Sequence, residues 1–514
     1  MTNRDSITRG LYTDVIDIRR KVFASVAEVI LNYDHKNPYE IIHEISKIPF
    51  QIISRKDPTY RCCVYKERSI VAERIRLTLG LPLWEGIESG HLYKGIETVL
   101  KPHKTIELPI VNVMSEACEK CPTKAYVVTN NCRKCLAHPC SVVCPVNAVY
   151  FSKDSAVIDQ EKCIKCGKCQ QACPYNAIVN YDRPCAAACG VDAIKSDETG
   201  RAKIDYNKCV RCGQCIVACP FGAIADKSEF IQMLIALKEK KTLYAIVAPS
   251  FLGQFGPHAT PGNIFSAIKK IGFGKVMEVA YGADIATLQE SKEWYHKIYE
   301  EKQGFLGTSC CPAWVDLAKK NFPETASKIS DSYTPMVATA KAIKENDPNA
   351  IVTFIGPCVA KKVEALRPEV SPFVDFVITF EELASVFVAM DIDLADITEN
   401  EVLEDASGSG RNYAVSGGVV DALKINVLKE HPDADIRIEK ADSLHDCKKM
   451  LLLAKAGKLN ANLIEGMACP GGCVGGPGIL SPIRRTSVEV SQFAKASSYY
   501  ASYENPKINQ QEEK

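Results

Sequence analysis

Two stretches organise this sequence: CIKCGKCQQAC at residues 163–173 and CVRCGQCIVAC at residues 209–219, each followed by proline. Both have the spacing Cys-x2-Cys-x2-Cys-x3-Cys-Pro, in which three thiolates on a tight loop hold three corners of a 4Fe-4S cubane. The fourth thiolate leaves in another direction and ligates a neighbouring cluster. A Cys-x3-Cys pair precedes each stretch, so residues 111–230 are predicted to hold two copies of one iron–sulfur module.

The sixteen cysteines of this region are enough for four accessory 4Fe-4S clusters with four ligands each. Spacing assigns three quartets, which are Cys144, Cys163, Cys166 and Cys169; Cys132, Cys135, Cys140 and Cys173; and Cys189, Cys209, Cys212 and Cys215. The second copy has no Cys-x2-Cys pair directly before it, so the nearest free pair completes a fourth quartet, which is Cys118, Cys121, Cys185 and Cys219.

Two other groupings of these cysteines stay open at this point. Residues 118–135 hold two Cys-x2-Cys pairs and fit a four-thiolate zinc ribbon, although this would take two ligands that the first module needs. Alternatively, Cys173 pairs directly with the cluster of the second run.

Composition narrows the class of protein. Lys plus Arg number 63 and Asp plus Glu 62, and a net charge of +1 offers no basic surface for nucleic acid or an anionic membrane. The 514 residues predict roughly three or four folded units of a globular protein. There is no signal-like start and no apolar run of about 18 residues, so we expect a cytoplasmic location, where most of the 24 cysteines are metal ligands or catalytic thiols.

The rest of the chain divides into three segments. Residues 1–110 have helical apolar spacing and predict a mainly helical N-terminal segment. Residues 240–485 alternate β-branched runs with amphipathic helices, which predicts an α/β catalytic domain of largely parallel sheets flanked by helices. Residues 486–514 are polar, and we expect a frayed or disordered tail.

Three cysteines outside the motifs receive structural interpretations. Cys62 and Cys63 are adjacent, and we interpret them as packed or weakly exposed thiols, with a redox-active or cluster-related role as the alternative. Cys447 lies on a predicted helix and is interpreted as a small hydrophobic residue.

Three further cysteine motifs mark the α/β domain: TSCCPAW at 308–314, GPCVAKKVEA at 356–365 and EGMACPGGCVGGPG at 465–478. The first two follow strand-like runs directly. We therefore expect their thiols to converge beyond the carboxyl ends of neighbouring parallel strands, where α/β proteins bind ligands. The glycines of the last motif allow the backbone to approach a bulky inorganic group.

In order and spacing, these three motifs resemble the signature of the iron-only (FeFe) hydrogenases, over roughly residues 240–480. The preceding tandem ferredoxin-like α+β region resembles the electron-relay portion that members often carry. TYRCCVYKER at 59–68 and TSCCPAW are similar to the divergent clostridial-type group. The resemblance implies reversible reduction of protons to dihydrogen, a ferredoxin or flavodoxin as electron partner, and maturation proteins that install part of the cofactor.

The resemblance also implies an active-site cluster between the lobes of the catalytic domain. It consists of a 4Fe-4S cubane joined through one thiolate to a two-iron unit with CO, cyanide and a bridging dithiolate amine. The implied cubane ligands are Cys311, Cys358, Cys469 and Cys473, of which Cys473 also bridges to the two-iron unit. Cys310 is then the last proton donor, and Lys361 donates a hydrogen bond to a cyanide. Met467 and the turn Ala248, Pro249 and Ser250 are expected beside the cluster.

For protons, the family pattern implies a path from solvent through Glu293, Ser330 and Glu290 to Cys310. The two glutamates are three residues apart on a predicted helix and so share one face. Without the resemblance, the pair would be interpreted as a solvated helix face.

Some residues depart from the family pattern. Gly356 stands where most members have Met, which predicts a less shielded two-iron unit, and Gly475, Gly476 and Pro477 replace a usual Asn-Gly-Gly stretch. Lys297 occupies a position that is Arg in well-known members. The alternative function is a non-catalytic iron–sulfur assembly or binding relative without the two-iron unit, although such relatives typically lose the thiol and the lysine present here. A hydrogen sensor would be expected to carry a signalling domain.

Overall fold

The computed structural model describes residues 13–84, 92–239 and 241–508. The N-terminal segment is helical, as predicted, and it packs into the catalytic core. Val26 and Ile30 belong to the same hydrophobic cluster as Phe380, and the rings of Phe23 and Phe230 meet edge to face at 5.8 Å. The parts of this prediction that fall on residues 1–12 and 85–91 lie outside the described residues. The helices are α1 (Asp14–Asn32), α2 (Pro38–Ile52), α3 (Val64–Thr78) and α4 (Ile96–Val99).

The iron–sulfur region contains four antiparallel strand pairs with short helices between them. Its elements are β1 (Val111–Val113), β2 (Ala125–Val128), α5 (Pro139–Val142), β3 (Val149–Phe151), β4 (Ala156–Ile158), α6 (Lys168–Ala172), β5 (Ile178–Tyr181), α7 (Pro184–Ala187), β6 (Ile194–Ser196), β7 (Ala202–Ile204), α8 (Gln214–Ala218) and β8 (Ile224–Asp226).

One module is nested inside the other. Strands β2 and β5 pair, as do β3 and β4, and they form module 1, residues 125–181. Strands β1 and β8 pair across this insertion, and together with β6 and β7 they form module 2, residues 111–121 and 184–226. The nesting explains why the second copy has no cysteine pair directly before it: Cys118 and Cys121 precede the inserted module.

The domain that the sequence predicts to be catalytic has two parallel sheets with helices around them, which confirms the α/β prediction. The strand orders are β10-β9-β12-β13 and β11-β15-β14. The strands are β9 (Leu243–Val247), β10 (Lys275–Glu278), β11 (Leu306–Gly307), β12 (Ile351–Gly356), β13 (Phe376–Thr379), β14 (Ile438–Ala441) and β15 (Leu463–Gly466). The helices are α9 (Phe230–Lys238), α10 (Pro261–Ile271), α11 (Ala280–Tyr295), α12 (Pro312–Asn321), α13 (Pro323–Ala326), α14 (Pro335–Asn346), α15 (Val359–Glu364), α16 (Phe380–Ala389), α17 (Gly408–Asn412), α18 (Gly418–Glu430), α19 (Leu444–Lys455) and α20 (Ile483–Lys495).

The expectation of a frayed tail from residue 486 is wrong for residues 486–508. Helix α20 buries Val490 completely, and Ser502 and Asn505 are buried further along. Both polar side chains donate hydrogen bonds to the buried carboxylate of Asp284, at 2.8 and 3.0 Å. Buried hydrogen bonds, which the polar composition does not reveal, hold this segment on the core.

The three cysteines outside the motifs differ in exposure. Cys447 is fully buried on α19, and its thiol donates to the Met467 carbonyl at 3.5 Å. Cys62 is exposed and Cys63 half-buried at the start of α3. Within the three described ranges, none of the helices combines the length and the apolar character that crossing a bilayer requires.

Candidate active site

Four groups of four cysteines lie together in the iron–sulfur region, in the quartets that the spacing predicts. Three groups line separate cavities of ≈ 310, ≈ 350 and ≈ 370 Å³. In that order, the cavities hold Cys144, Cys163, Cys166 and Cys169; Cys132, Cys135, Cys140 and Cys173; and Cys189, Cys209, Cys212 and Cys215. Four thiols around one small cavity are the donor set of a 4Fe-4S cluster.

The fourth group joins cysteines from both sides of the insertion. Burial and the neighbouring thiols of Cys219, Cys118 and Cys121 raise the pKa of Cys185 to about 11. The two Cys-x2-Cys pairs of residues 118–135 thus lie in different groups, and Cys173 stays within module 1. Neither the zinc ribbon nor the alternative pairing of Cys173 is the arrangement in the structure.

A cavity lined by five cysteines lies at the carboxyl ends of strands from both sheets. The cubane cysteines implied by the resemblance all line it, as does Cys310; they are Cys311, Cys358, Cys469 and Cys473. Cys310 and Cys311 follow β11, Cys358 follows β12, and Cys469 follows β15. The predicted convergence of the three motifs beyond the strand ends is therefore present.

Burial in this apolar cavity disfavours charge on each thiol. It raises the pKa of Cys358 to about 11 and that of Cys473 to about 12, and it moves the pKa values of Cys311 and Cys469 in the same direction. Several uncompensated thiolates in one low-dielectric site would repel one another. A cationic iron centre compensates that charge, so this set of donors fits an iron–sulfur cluster.

The size of the cavity also distinguishes it from the accessory sites. Its atom-free space, which includes space open to solvent, is ≈ 760 Å³, about twice that of each accessory cavity that holds four thiols. Two buried polar atoms, Ser250 Oγ and Glu290 Oε2, have no hydrogen-bond partner within the described ranges.

The other residues implied by the resemblance surround the same cavity. Met467, Ala248 and Pro249 line it, while Ser250 is completely buried behind them. Lys361 also lines it, and its Nζ is 2.6 Å from Glu364 Oε2 in an ion pair that is nearly inaccessible to solvent. Glu364 holds the ammonium at the wall of the cavity.

A row of polar groups leads from the cavity along α11. The Glu290 carboxylate is buried and accepts a hydrogen bond from the Ser309 backbone N–H at 2.8 Å. Desolvation raises the pKa of Glu290 to about 7, and its charge in turn contributes to the raised pKa of Cys310, for which burial is the main cause. The carboxyl and the thiol are therefore close enough to interact electrostatically. The interpretation of Glu290 as part of a solvated helix face is wrong.

The row continues toward the surface. Ser330 Oγ donates to Glu293 Oε2 at 2.5 Å, and Ser330 is close enough to Glu290 to offset a small part of the rise in the pKa of that carboxyl. Glu293 is half-buried. Lys297, one turn further, is bound to Glu301 at 2.9 Å, and the charge of Glu293 contributes to its raised pKa. The predicted residues thus form a row from the protein surface to the cavity.

The sequence did not identify two residues beside this row. Tyr413 lines the cavity, and its hydroxyl lies 2.7 Å from Thr287 Oγ1 on α11. Glu465 is buried, and its carboxylate accepts from the Gly417 backbone N–H at 2.7 Å. Glu465 is the first residue of the motif at 465–478, so that motif could have identified it as a site residue. Tyr413 belongs to no motif that would have identified it.

The structure corrects the expectation that Gly356 leaves the site less shielded, because the ring of Phe354 lies beside this glycine. A Cβ placed on Gly356 would lie 2.5 Å from Cζ of Phe354, and Phe354 lines the cavity. Residues 354 and 356 share one face of β12 because strand side chains alternate. The Phe354 ring therefore occupies the space that a side chain at position 356 would fill.

Module 2 adjoins the active-site cavity. A Cβ on Gly213 would lie 2.7 Å from Cγ of Pro477, and the Cys212 thiol contributes to the raised pKa of Cys469, for which burial is the main cause. A direct contact of this kind places a module 2 cavity beside the catalytic one.

Comparison with known proteins identifies both regions. Residues 241–477 match the family model of the iron-only hydrogenase large subunit, C-terminal domain, and residues 156–179 and 202–225 match the 4Fe-4S binding domain. Iron hydrogenase 1 of Clostridium pasteurianum is 28% identical over 373 residues, which cover 63% of this chain and 64% of the relative. This chain thus aligns with less than two thirds of that relative's length.

Two other relatives show the breadth of the similarity. The periplasmic Fe hydrogenase large subunit of Nitratidesulfovibrio vulgaris is 27% identical over 382 residues, 65% of this chain and 89% of the relative. A cytosolic Fe-S cluster assembly factor of Kluyveromyces lactis is 31% identical over 146 residues, 26% of this chain and 31% of the relative. The chain is therefore similar to the iron-only hydrogenases over residues 241–477 and to 4Fe-4S binding domains over two segments before them.

Proposed function

We propose that this protein is an FeFe hydrogenase, which catalyses the reversible reduction of protons to dihydrogen. The observation that carries the proposal is the meeting of five thiols and a buried lysine at one cavity, from which a row of acidic and hydroxyl groups leads away. Proton reduction needs electrons and protons to reach one dry site by different routes. Cysteines that can hold an electron-carrying cluster adjoin this cavity, and so do polar side chains that can pass protons.

In this proposal, four cysteines hold the cubane and one of them links it to the two-iron unit. The ligands are Cys311, Cys358, Cys469 and Cys473, with Cys473 as the bridge. When bound, the cubane and the two-iron unit with its CO, cyanide and dithiolate amine supply the redox chemistry that combines two protons with two electrons. The protein keeps the site dry and controls the approach of protons.

Cys310 is the last proton donor of the proposed path. Its thiol faces the cavity, and burial holds its pKa well above the usual value, so it stays protonated between transfers. Glu290 reloads it, and Ser330 and Glu293 connect Glu290 with solvent. A carboxyl with a pKa of about 7 both gains and releases a proton easily at neutral pH.

The remaining residues at the cavity are proposed to orient the active-site cluster. The Lys361 ammonium, held by Glu364, is proposed to donate a charge-assisted hydrogen bond to a cyanide. Met467, Ala248, Pro249 and Ser250 are proposed to pack against the two-iron unit. The unpartnered Ser250 hydroxyl supports this role because a buried polar atom rarely lacks a partner.

Electrons are proposed to reach the cavity through four accessory 4Fe-4S clusters, from a ferredoxin or flavodoxin. Module 2 adjoins the catalytic cavity, which supports its role as the last part of the relay. Maturation proteins are proposed to install the two-iron unit.

The test is to assay the matured protein for hydrogen evolution from reduced methyl viologen and to record its infrared spectrum. We expect hydrogen evolution and bands of metal-bound CO and cyanide. Absence of both, with full iron loading of the four-thiol sites and co-expressed maturation proteins, would refute the proposal.

A second candidate is a non-catalytic iron–sulfur assembly or binding protein. It is favoured by the 31% identity to the assembly factor, although that match covers only 26% of this chain. Such a protein would contain 4Fe-4S clusters and no CO or cyanide bands. The infrared spectrum therefore separates the two candidates without depending on turnover.

A further inference from the structure

The two modules carry equivalent loops with different surroundings. Loop 2, residues 209–215, belongs to module 2 and lies against the catalytic domain. Its Val210 is only 1% exposed and belongs to a hydrophobic cluster with Trp314. The next residue, Arg211, forms an ion pair with Asp316 of α12 at 3.2 Å. An apolar contact and a basic-to-acidic contact thus hold loop 2 against its partner.

Loop 1, residues 163–169 of module 1, has the same residue types and no such partner. Ile164, the counterpart of Val210, is 60% exposed. Lys165, the counterpart of Arg211, is exposed and has nearly the same backbone angle, with φ of 58° against 57°. No ion pair of Lys165 is found in the part of the chain that the structure describes. Loop 1 therefore exposes to solvent one apolar and one basic side chain, the two residue types with which loop 2 contacts the α/β domain.

A thiol-lined cavity lies directly beneath loop 1. Val146 and Ile164 both line the cavity of Cys166, and Val146 is 37% exposed. Cys166 is itself exposed, whereas its counterpart Cys212 is half-buried. An iron–sulfur cluster held there is the one that a docked protein could approach most closely through this surface.

The charges around loop 1 are mainly positive. Lys162, Lys165 and Lys168 are exposed within seven residues, and Glu161 is the exposed acid beside them. Lys162 is 3.7 Å from Asp159, in an exposed and therefore weak ion pair. Exposed apolar side chains ringed by one sign of charge are typical of a transient docking site for a partner of opposite charge.

We propose that loop 1, together with Val146, is the docking surface for an acidic ferredoxin. In the docked complex a carboxylate of the ferredoxin pairs with Lys165, as Asp316 pairs with Arg211, and an apolar patch covers Ile164. A docked ferredoxin would give up one electron from each reduced cluster and be oxidised, and the cluster that Cys144, Cys163, Cys166 and Cys169 would hold would accept one electron at a time. The physiological direction of this transfer rests on the proposed function; the docking contact does not.

The test measures binding and electron transfer with the complete protein, its accessory clusters loaded. An acidic ferredoxin that carries two 4Fe-4S clusters serves as the probe. We expect Lys165→Glu to weaken its binding by about tenfold at low ionic strength and to reduce the dependence of binding on salt. Ile164→Ser is expected to weaken binding about fivefold through the lost apolar contact. The rate at which reduced ferredoxin reduces the clusters is then compared between wild type and the variants.

Lys203→Glu is the matched control, because Lys203 is an exposed lysine on β7 of module 2 and the variant carries the same change in net charge. Iron and sulfide content confirm that each variant keeps its clusters. Equal ferredoxin affinity of wild type and Lys165→Glu, or an equal loss with Lys203→Glu, would overturn the proposal. Preferential binding of an acidic flavodoxin would overturn the choice of occupant.

The hydrogenase proposal is assayed separately with methyl viologen, a dye that needs no docking surface. A protein that binds ferredoxin through Lys165 but never evolves hydrogen would refute the hydrogenase and leave the docking surface intact. Hydrogen evolution together with unchanged ferredoxin binding in Lys165→Glu would support the hydrogenase and refute the docking surface.

Discussion

The catalytic cavity and the outermost cavity of module 1 both contain a quartet of cysteines, yet their surroundings differ. The outer cavity encloses ≈ 310 Å³ and reaches the surface at Cys166. The catalytic cavity encloses ≈ 760 Å³ and adds a fifth thiol and the buried Lys361. Four thiols are sufficient for an electron-carrying site. The additional volume and the buried ionisable groups are what proton chemistry requires.

The largest effect is expected from removal of the fifth thiol. Cys310→Ala should lower hydrogen evolution by about 10³-fold or more, because the proposed last proton donor is lost, while iron content stays at the wild-type level. The same substitution at Cys166 should instead lower the iron content. Dye-linked hydrogen evolution and iron analysis of both variants test this contrast. Substantial activity in Cys310→Ala would show that the catalytic cavity does not depend on its extra thiol.

The second largest effect is expected from replacement of the buried carboxyl of Glu290. Glu290→Gln should lower hydrogen evolution by about 10²- to 10³-fold. In the wild type, Glu290 is protonated below pH of about 7, its raised pKa, so hydrogen evolution should fall as the pH rises through that value. The residual rate of the variant should lack this step. A matched Glu300→Gln change at an exposed position of the π-helical turn that follows α11 should leave the profile unchanged.

The same shift bears on stability. The pKa of Glu290 is raised from 4.5 to about 7, so the folded protein binds more protons than the unfolded chain between these values. Stability from the protonated carboxyl is therefore present at low pH and is lost as the pH rises through about 7.

A third prediction concerns the aromatic wall. Phe354→Ala should reduce the free energy of unfolding of the catalytic domain by about 3 kcal/mol, because the ring is buried and a cavity would remain. Tyr150→Ala in module 1, where the side chain is 54% exposed, should cost less than about 0.5 kcal/mol. Denaturant unfolding followed by intrinsic fluorescence measures both. Equal losses would contradict the placement of Phe354 over Gly356.

The smallest predicted effect compares the two loops. Val210→Ser should destabilise the protein by about 2 kcal/mol, because a buried contact with the catalytic domain is lost. Ile164→Ser should change stability by less than about 0.5 kcal/mol in the absence of a partner protein. Thermal unfolding at fixed iron content tests the pair. A comparable loss in Ile164→Ser would mean that loop 1 is held within this chain rather than free for a partner.

Much of this organisation could be predicted from local spacing. Cysteine runs place ligands on one loop, so the quartets followed from the repeat, and even Cys118 and Cys121 followed by elimination. These two cysteines lie far from the second copy because module 1 is inserted between β1 and β8. That insertion is a tertiary feature that spacing does not encode. Likewise the strand β12 was evident from its β-branched residues.

What escaped prediction depends on which side chains the fold brings together. Tyr413 reaches the cavity from a segment with no motif, and Phe354 covers Gly356 only because both point to one face of a strand. The C-terminal residues looked dispensable because they are polar. Ser502 and Asn505 share the partner Asp284, more than two hundred residues earlier, so no local pattern could reveal these hydrogen bonds.

Those C-terminal bonds have a practical consequence. Ser502 and Asn505 are bonded to Asp284, which lies on the same helix as Glu290, almost two turns earlier. A protease that clips the chain before Ser502 would remove two of the hydrogen bonds that hold the Asp284 carboxylate and leave those from Ser407. If Glu290 carries protons as proposed, proteolytic ageing of a preparation would thus slow hydrogen evolution while its iron content and colour stayed normal.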